Sequence, residues 1–115
     1  MNDWYSRPVL FVSDIDRSLR FYADVMGFDK IWHEGNGAGK VSQVGRAGCE
    51  IILCEDKARK DRGRLFVSLD KAGMTQLDGE IVKRSIPSKR SWWGYDCIQI
   101  DDPDGNELLF PLPKD

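Results

Sequence analysis

The sequence predicts an α+β fold of two β-α-β-β-β modules, and three observations predict it. From Trp93 to Phe110, two alternately apolar runs flank Asp102-Pro103-Asp104-Gly105, a tight turn in which proline presets φ and glycine supplies a positive one. That pattern reads as a β-hairpin. At the other end, the apolar run Pro8 to Val12 leads through Ser13-Asp14 into Ile15, Leu19, Tyr22 and Met26 at helical spacing, a strand entering a capped helix. Between them, Arg64-Leu65-Phe66-Val67-Ser68-Leu69-Asp70 echoes Val9-Leu10-Phe11-Val12-Ser13-Asp14, an acid again closing the run. The echo argues for a duplicated module.

Taken in order, residues 7–13 form the first strand, and Ser13 or Asp14 caps the helix that Gly27 ends in a left-handed conformation. Phe28 to Glu34 resumes as a strand. Gly35-Asn36-Gly37-Ala38-Gly39 is a flexible loop, Lys40 to Arg46 the next strand, and Glu50 to Glu55 a buried strand ahead of a charged linker at 56–63. The second module opens with the strand 64–70 and continues with a short helix through 74–83. That helix is a poor one, because Gly73 and Gly79 each cost about 1 kcal/mol against alanine in a helix interior. A short strand near 84–87 and the terminal hairpin complete it. Module one is expected over about 6–55 and module two over about 63–112, in a single domain spanning 1–115.

Composition narrows the function. A chain of 115 residues with 41% hydrophobic and 31% charged residues reads as one ordinary soluble domain. Seventeen basic against nineteen acidic residues leave a net charge of −2, without the concentrated basic face that nucleic acid requires. The clusters at 57–62 and 83–84 are interrupted by acids or apolar residues and read as solvated surface. No run approaches the roughly 20 apolar residues of a membrane span, and Met1 to Trp4 lacks a signal-peptide pattern, so a cytoplasmic location is expected. Cys49, Cys54 and Cys97 lie in apolar strand-like runs and read as small buried hydrophobes rather than disulfides or a nucleophile.

Strand parity separates the residues that face helices from those that face a cleft. In the first strand Pro8, Leu10 and Val12 oppose Arg7, Val9, Phe11 and Ser13. In the fifth, Leu65, Val67 and Leu69 oppose Arg64, Phe66 and Ser68. The aliphatic sets suit helix packing, and the mixed sets should line the concave side. On the last strand Leu108 and Phe110 should pack under helices, leaving Glu107, Leu109 and Pro111 toward the cleft.

The capped helix after the first strand and the Asp-Pro-Asp-Gly hairpin together resemble the vicinal-oxygen-chelate superfamily of glyoxalases, extradiol dioxygenases and bleomycin-resistance proteins. The resemblance implies sheets curled around a shared cleft and often completed across a homodimer. It also implies metal ligands on the first and fourth strands of each module in the metal-dependent members. Those positions fall here at Arg7, Arg64, Leu109 and near Leu53 or Cys54. Arginine stays protonated and has no lone pair to offer. Glu107 has the right parity but stands two residues early, and with His33 alone it would hold a metal too weakly. No metal or cofactor is therefore expected, and the sequence leans against an enzyme.

Within the superfamily the chain is closest to the metal-free bleomycin-resistance type. Trp93-Gly94 precedes Asp102 by nine residues, and Trp32-His33-Glu34 supplies an aromatic followed two residues later by an acid. The implied function is sequestration of an aromatic, possibly cationic small molecule in a cleft at a dimer interface. The candidate ligand-binding residues are Trp32, Glu34, Phe66, Trp93, Tyr95, Arg7, Arg64 and Glu107. Aromatic faces can sandwich a flat group and carboxylates favour a cation. Two adjacent tryptophans on a strand point to opposite faces, so Trp92 and Trp93 cannot share one core. Arg7 and Arg64 favour an anionic ligand if they face the cleft unpaired, and internal Arg–Glu bridges are the competing expectation. Trp4 is expected to cover a terminus and His33 to lie on the surface. The alternative function is a glyoxalase- or dioxygenase-like metalloenzyme with displaced ligands drawn from Glu107, His33 and Gln43.

Overall fold

In the computed structural model, which describes residues 4–113, the chain divides at Asp61 and Arg62 into two compact units. Each contains one four-stranded mixed sheet. In the first, β1 (Val9–Val12) runs parallel to β4 (Cys49–Glu55), which pairs antiparallel with β3 (Val41–Arg46), and β3 in turn with β2 (Asp29–His33). Helix α1 (Ile15–Arg20) begins at Asp14, whose carboxylate accepts from the Arg17 amide at 3.1 Å and satisfies one of the orphan donors of the first turn. A wide turn, Phe21–Val25, extends it, with Met26 N reaching back to Phe21 O at 3.0 Å. Gly27, at φ 73°, then reverses the chain as its spacing predicts. Leu10, Val12, Val44, Ile51 and Leu53 are buried together with Ile15, Tyr22, Met26 and Phe28. The Tyr22 ring meets Phe21 and Phe28 edge-on at 5.1 and 5.7 Å.

The second unit repeats the order. β5 (Arg64–Phe66) lies parallel to β8 (Glu107–Pro111), then come β7 (Asp96–Asp101) and β6 (Lys89–Trp92), both antiparallel. Asp70 caps α2 (Lys71–Arg84) by accepting from the Gly73 amide at 2.7 Å. The hairpin turn is held from its first residue. Asp102 Oδ1 accepts from the amides of Asp104 and Asn106, both at 2.9 Å, and Oδ2 from the Asn106 side-chain amide at 2.9 Å. Asn106 Oδ1 then accepts from Gly63 N at 2.7 Å, tying the turn to the chain entering β5. Among the described residues no helix is long and apolar enough to cross a membrane.

The βαβββ order in both units agrees with the sequence, and several boundaries do not. α2 spans fourteen residues rather than a short stretch through 74–83, because the Asp70 cap takes Gly73 into the first turn. The strand expected near 84–87 is absent: Ser85 takes φ 53° to end the helix, Ile86 N closes on Ile81 O at 3.0 Å, and pairing starts only at Lys89. β5 stops at Phe66, four residues before Asp70. Leu109, expected on the open side, is fully buried, so β8 is covered on both faces at Leu108 and Leu109. Cys97 is buried as expected, whereas Cys49 and Cys54 are only half-buried. Burial pushes the Cys49 and Cys97 thiols above the ordinary range. Trp4 is 97% exposed and covers nothing.

Candidate functional site

Residues that sit opposite each other in a sheet point to the same face, so the registers lay out each sheet face row by row. In the second unit one row is Phe66, Leu109, Gln99 and Lys89. The adjoining row is Arg64, Glu107 and Asp101. At the β6–β7 turn Gly94 adopts φ 82°, and Trp93 N donates to Tyr95 O at 3.1 Å. The turn sets both rings beside Phe66. Phe66 meets Trp93 edge-to-face at 5.6 Å between centroids and 88°, and Tyr95 at 6.4 Å and 65°. The three rings form a corner, and each keeps about two-fifths of its surface exposed: 41%, 42% and 43% for Phe66, Trp93 and Tyr95.

Arg64 borders that corner. Its Nε donates to Glu107 Oε1 at 2.6 Å, and its guanidinium carbon lies 5.1 Å from the centre of the Trp93 ring. Of the two internal Arg–Glu bridges expected as the competitor to an anion site, the one at Arg64 is thus present; Arg7 meets Gln43 instead. Five of the eight candidate residues, Arg64, Phe66, Trp93, Tyr95 and Glu107, form one contiguous surface. Trp92 is the last residue of β6 and 70% exposed, while Trp93 has already left the strand. The turn, rather than strand alternation, decides where Trp93 points.

The first unit gathers a different set. Trp32 Nε1 donates to Gln43 Oε1 at 2.9 Å, and Arg7 reaches the same oxygen at 3.5 Å. The Gln43 amide nitrogen donates in turn to Glu50. Gln43 is almost fully buried and organises Arg7, Trp32 and Glu50 around itself. Farther along this face the Arg59 guanidinium, paired with Asp61, stacks on Phe11 at 3.9 Å from the ring centre. Glu34 does not join them. Its Oε1 accepts from the amides of Lys40 and Val41, at 2.8 and 3.1 Å, and closes the loop in which Gly35 and Asn36 are left-handed. His33 is half-buried rather than a plain surface residue, with Nε2 2.7 Å from the Gly39 carbonyl.

The sequence offers Gln43 only as a displaced metal ligand and does not single out Gln99. Both are buried polar residues in the central strand of their module, opposite Ile52 and Leu109 respectively. Gln99 donates to Asp101 at 2.8 Å and helps line a shallow pocket with Pro87, Ser88 and Lys89. The available signal was a glutamine inside an apolar run in each half, at Val41-Ser42-Gln43-Val44 and Cys97-Ile98-Gln99-Ile100.

A divalent metal does not fit these residues. Among the described residues no group of three or more His, Cys, Asp or Glu side chains could hold an ion, and neither the guanidinium of Arg64 nor the aliphatic side chain of Leu109 has a lone pair to offer. His33 and Gln43 are each engaged in hydrogen bonds, and neighbouring strand parity puts them on opposite faces.

The comparisons with known proteins agree with this architecture. The family described as the Glyoxalase/Bleomycin resistance protein/Dioxygenase superfamily matches residues 4–110. No curated protein matches the chain in sequence. Among solved structures, an integron cassette protein from the mobile metagenome of the Halifax Harbour sewage outfall is 16% identical, with a TM-score of 0.73, over 93% of this chain and 97% of that one. Lactoylglutathione lyase from Agrobacterium tumefaciens is 18% identical at a TM-score of 0.72, covering 96% and 95%. The fosfomycin resistance protein of Mesorhizobium loti is 12% identical at 0.65, covering 99% and 95%. Identities this low establish the shared fold and leave the ligand open.

Proposed function

We propose that this chain, which belongs to the Glyoxalase/Bleomycin resistance protein/Dioxygenase superfamily, is a metal-independent binding protein that sequesters an aromatic small molecule. The observation that carries the reading is the corner of Phe66, Trp93 and Tyr95, three large rings left two-fifths exposed beside a charged pair. Scattered exposed aromatics need no explanation, but rings that share edges around one opening offer a flat ligand stacking on several sides. Sequestration needs affinity rather than a nucleophile or base. The charged groups of this face are a guanidinium already paired with a carboxylate, a second carboxylate opposite that one, and Lys89 in the adjoining row. A homodimer, as the family resemblance implies, and a cytoplasmic location, as the sequence pattern suggests, belong to the same proposal, and sedimentation at the mass of one chain would remove the dimer from it.

The test is a tryptophan-fluorescence titration of metal-stripped protein with metal-free bleomycin, in wild type and Trp93→Ala. Saturable quenching near one ligand per chain, lost in the variant, supports sequestration at this corner. An unchanged affinity in Trp93→Ala would move the ligand elsewhere. Stoichiometric nickel, zinc, iron or manganese in the purified protein, with activity restored on reconstitution, would favour the metalloenzyme instead.

A further inference from the structure

We infer that the Phe66–Trp93–Tyr95 corner is a receptor for an organic cation, an aryl-bearing ammonium or guanidinium, and that Arg64 is its built-in occupant, which the ligand displaces. The inference rests on the small-molecule reading above and gives it a charge and a gate. The face of an aromatic ring carries negative potential, strongest for tryptophan, and attracts a cation within about 6 Å of its centre. The Arg64 guanidinium occupies that position over Trp93, at 5.1 Å. Phe66 stands perpendicular to Trp93, so a group over the tryptophan also has the phenyl beside it. Tyr95 closes the other side of Phe66.

The carboxylates set the sign. Glu107 holds Arg64 through Nε, and Asp101 lies opposite Glu107 in the β7–β8 pairing. An anion entering the corner would meet an arginine already neutralised and the Glu107 carboxylate; Asp101 lies at the end of β7 away from the Trp93–Tyr95 turn, and Lys89 on β6, opposite Gln99. A cation that replaces the arginine finds Glu107 released and unpaired. The Arg64 side chain is 52% exposed against 17% for Glu107, so the arginine can swing into solvent while the carboxylate stays. Long, flexible arginine on an exposed short strand makes an exchangeable plug, with its charge solvated once displaced.

Three probes that share a benzyl or phenyl group and differ in charge decide the matter: benzyltrimethylammonium, benzyl alcohol and benzoate. Each is titrated calorimetrically into wild type, Arg64→Gln, Arg64→Lys and Glu107→Gln. Benzyltrimethylammonium should bind Arg64→Gln roughly 10-fold or more tightly than wild type, because the competing cation is gone. Glu107→Gln should weaken it several-fold. Arg64→Lys keeps the charge but not the planar stack, should fall between, and carries the test if Arg64→Gln does not fold. Benzoate that binds wild type and is lost in Arg64→Gln would overturn the inference and make Arg64 an anion receptor. Benzyl alcohol binding in every variant, with no gain for the ammonium, would also overturn it while leaving the aromatic-ligand reading intact. If none of the probes binds any variant, both fall.

Discussion

Arg64 and Glu107 face each other on the first rung of the β5–β8 pairing, joined by a 2.6 Å ion pair. β5 is only three residues long, so this rung is a third of its ladder. The pair is nevertheless half open to water on the arginine side, and such pairs contribute little to stability after screening. Arg64→Gln should lower unfolding free energy by less than about 1 kcal/mol, and by less still in about 1 M salt. Urea denaturation at two salt concentrations measures this. A larger, salt-independent loss would mean that the pair holds β5 in place.

The aromatic corner and the neighbouring Trp92 separate binding from mere exposure. Phe66→Ala and Trp93→Ala should each weaken an aromatic ligand by about 10-fold, the equivalent of one lost ring contact of roughly 1–2 kcal/mol. Trp92→Ala should leave affinity unchanged, since that ring is 70% exposed outside the corner. Equal losses in all three would point to non-specific stacking.

Gly39 is required by contact. A Cβ built on it would lie 2.0 Å from the Glu34 Cγ, the side chain whose carboxylate holds the amides of Lys40 and Val41. Gly39→Ala should therefore expel Glu34 and free the start of β3, costing about 1–3 kcal/mol for the two unmade bonds. Hydrogen exchange at the Lys40 and Val41 amides should accelerate. Unchanged exchange would mean that the loop refolds around the methyl group.

Asn106 is 1% exposed and links the hairpin turn to Gly63. Asn106→Ala removes the acceptor of the Gly63 amide and one donor to Asp102, so a loss of about 1–3 kcal/mol is expected. Thermal unfolding reads it. A loss below about 1 kcal/mol would show that water replaces the amide.

Asp14 gives a pH signature. The amide of Arg17 donates to its carboxylate and holds the pKa below the ordinary 3.8. The unfolded chain thus takes up this proton at higher pH than the folded one. The stabilisation is complete above the unfolded value and disappears as pH falls through the lowered folded one. Asp14→Asn keeps a cap but not the charge. Its Tm should fall below that of wild type above about pH 4, with the gap closing toward pH 2. A gap independent of pH would assign the difference to geometry alone.

Alternation and turn chemistry are local, and they were legible. Leu10, Val12, Ile51 and Leu53 are buried as their parity requires, and Asp14 caps the helix it precedes. Boundaries that depend on termination were not. Ser85 ends α2 in a left-handed conformation with no glycine to announce it, which displaced the expected strand to Lys89. The resemblance pairs Glu34 with Trp32 as an aromatic followed two residues later by an acid, but β2 ends at His33 and the carboxylate turns to cap a loop.

The sequence by itself determined the two βαβββ modules and the hairpin turn, because spacing and turn chemistry decide these before any long-range contact forms. Only tertiary structure decided which polar residues meet. Gln43 joins Trp32, Arg7 and Glu50 because β2, β4 and the chain entering β1 bring them to its strand, and Phe66 meets Trp93 and Tyr95 through strand pairing and the left-handed turn at Gly94. Such meetings follow from register between strands distant in sequence, and a pattern of neighbours along the chain carries no record of it.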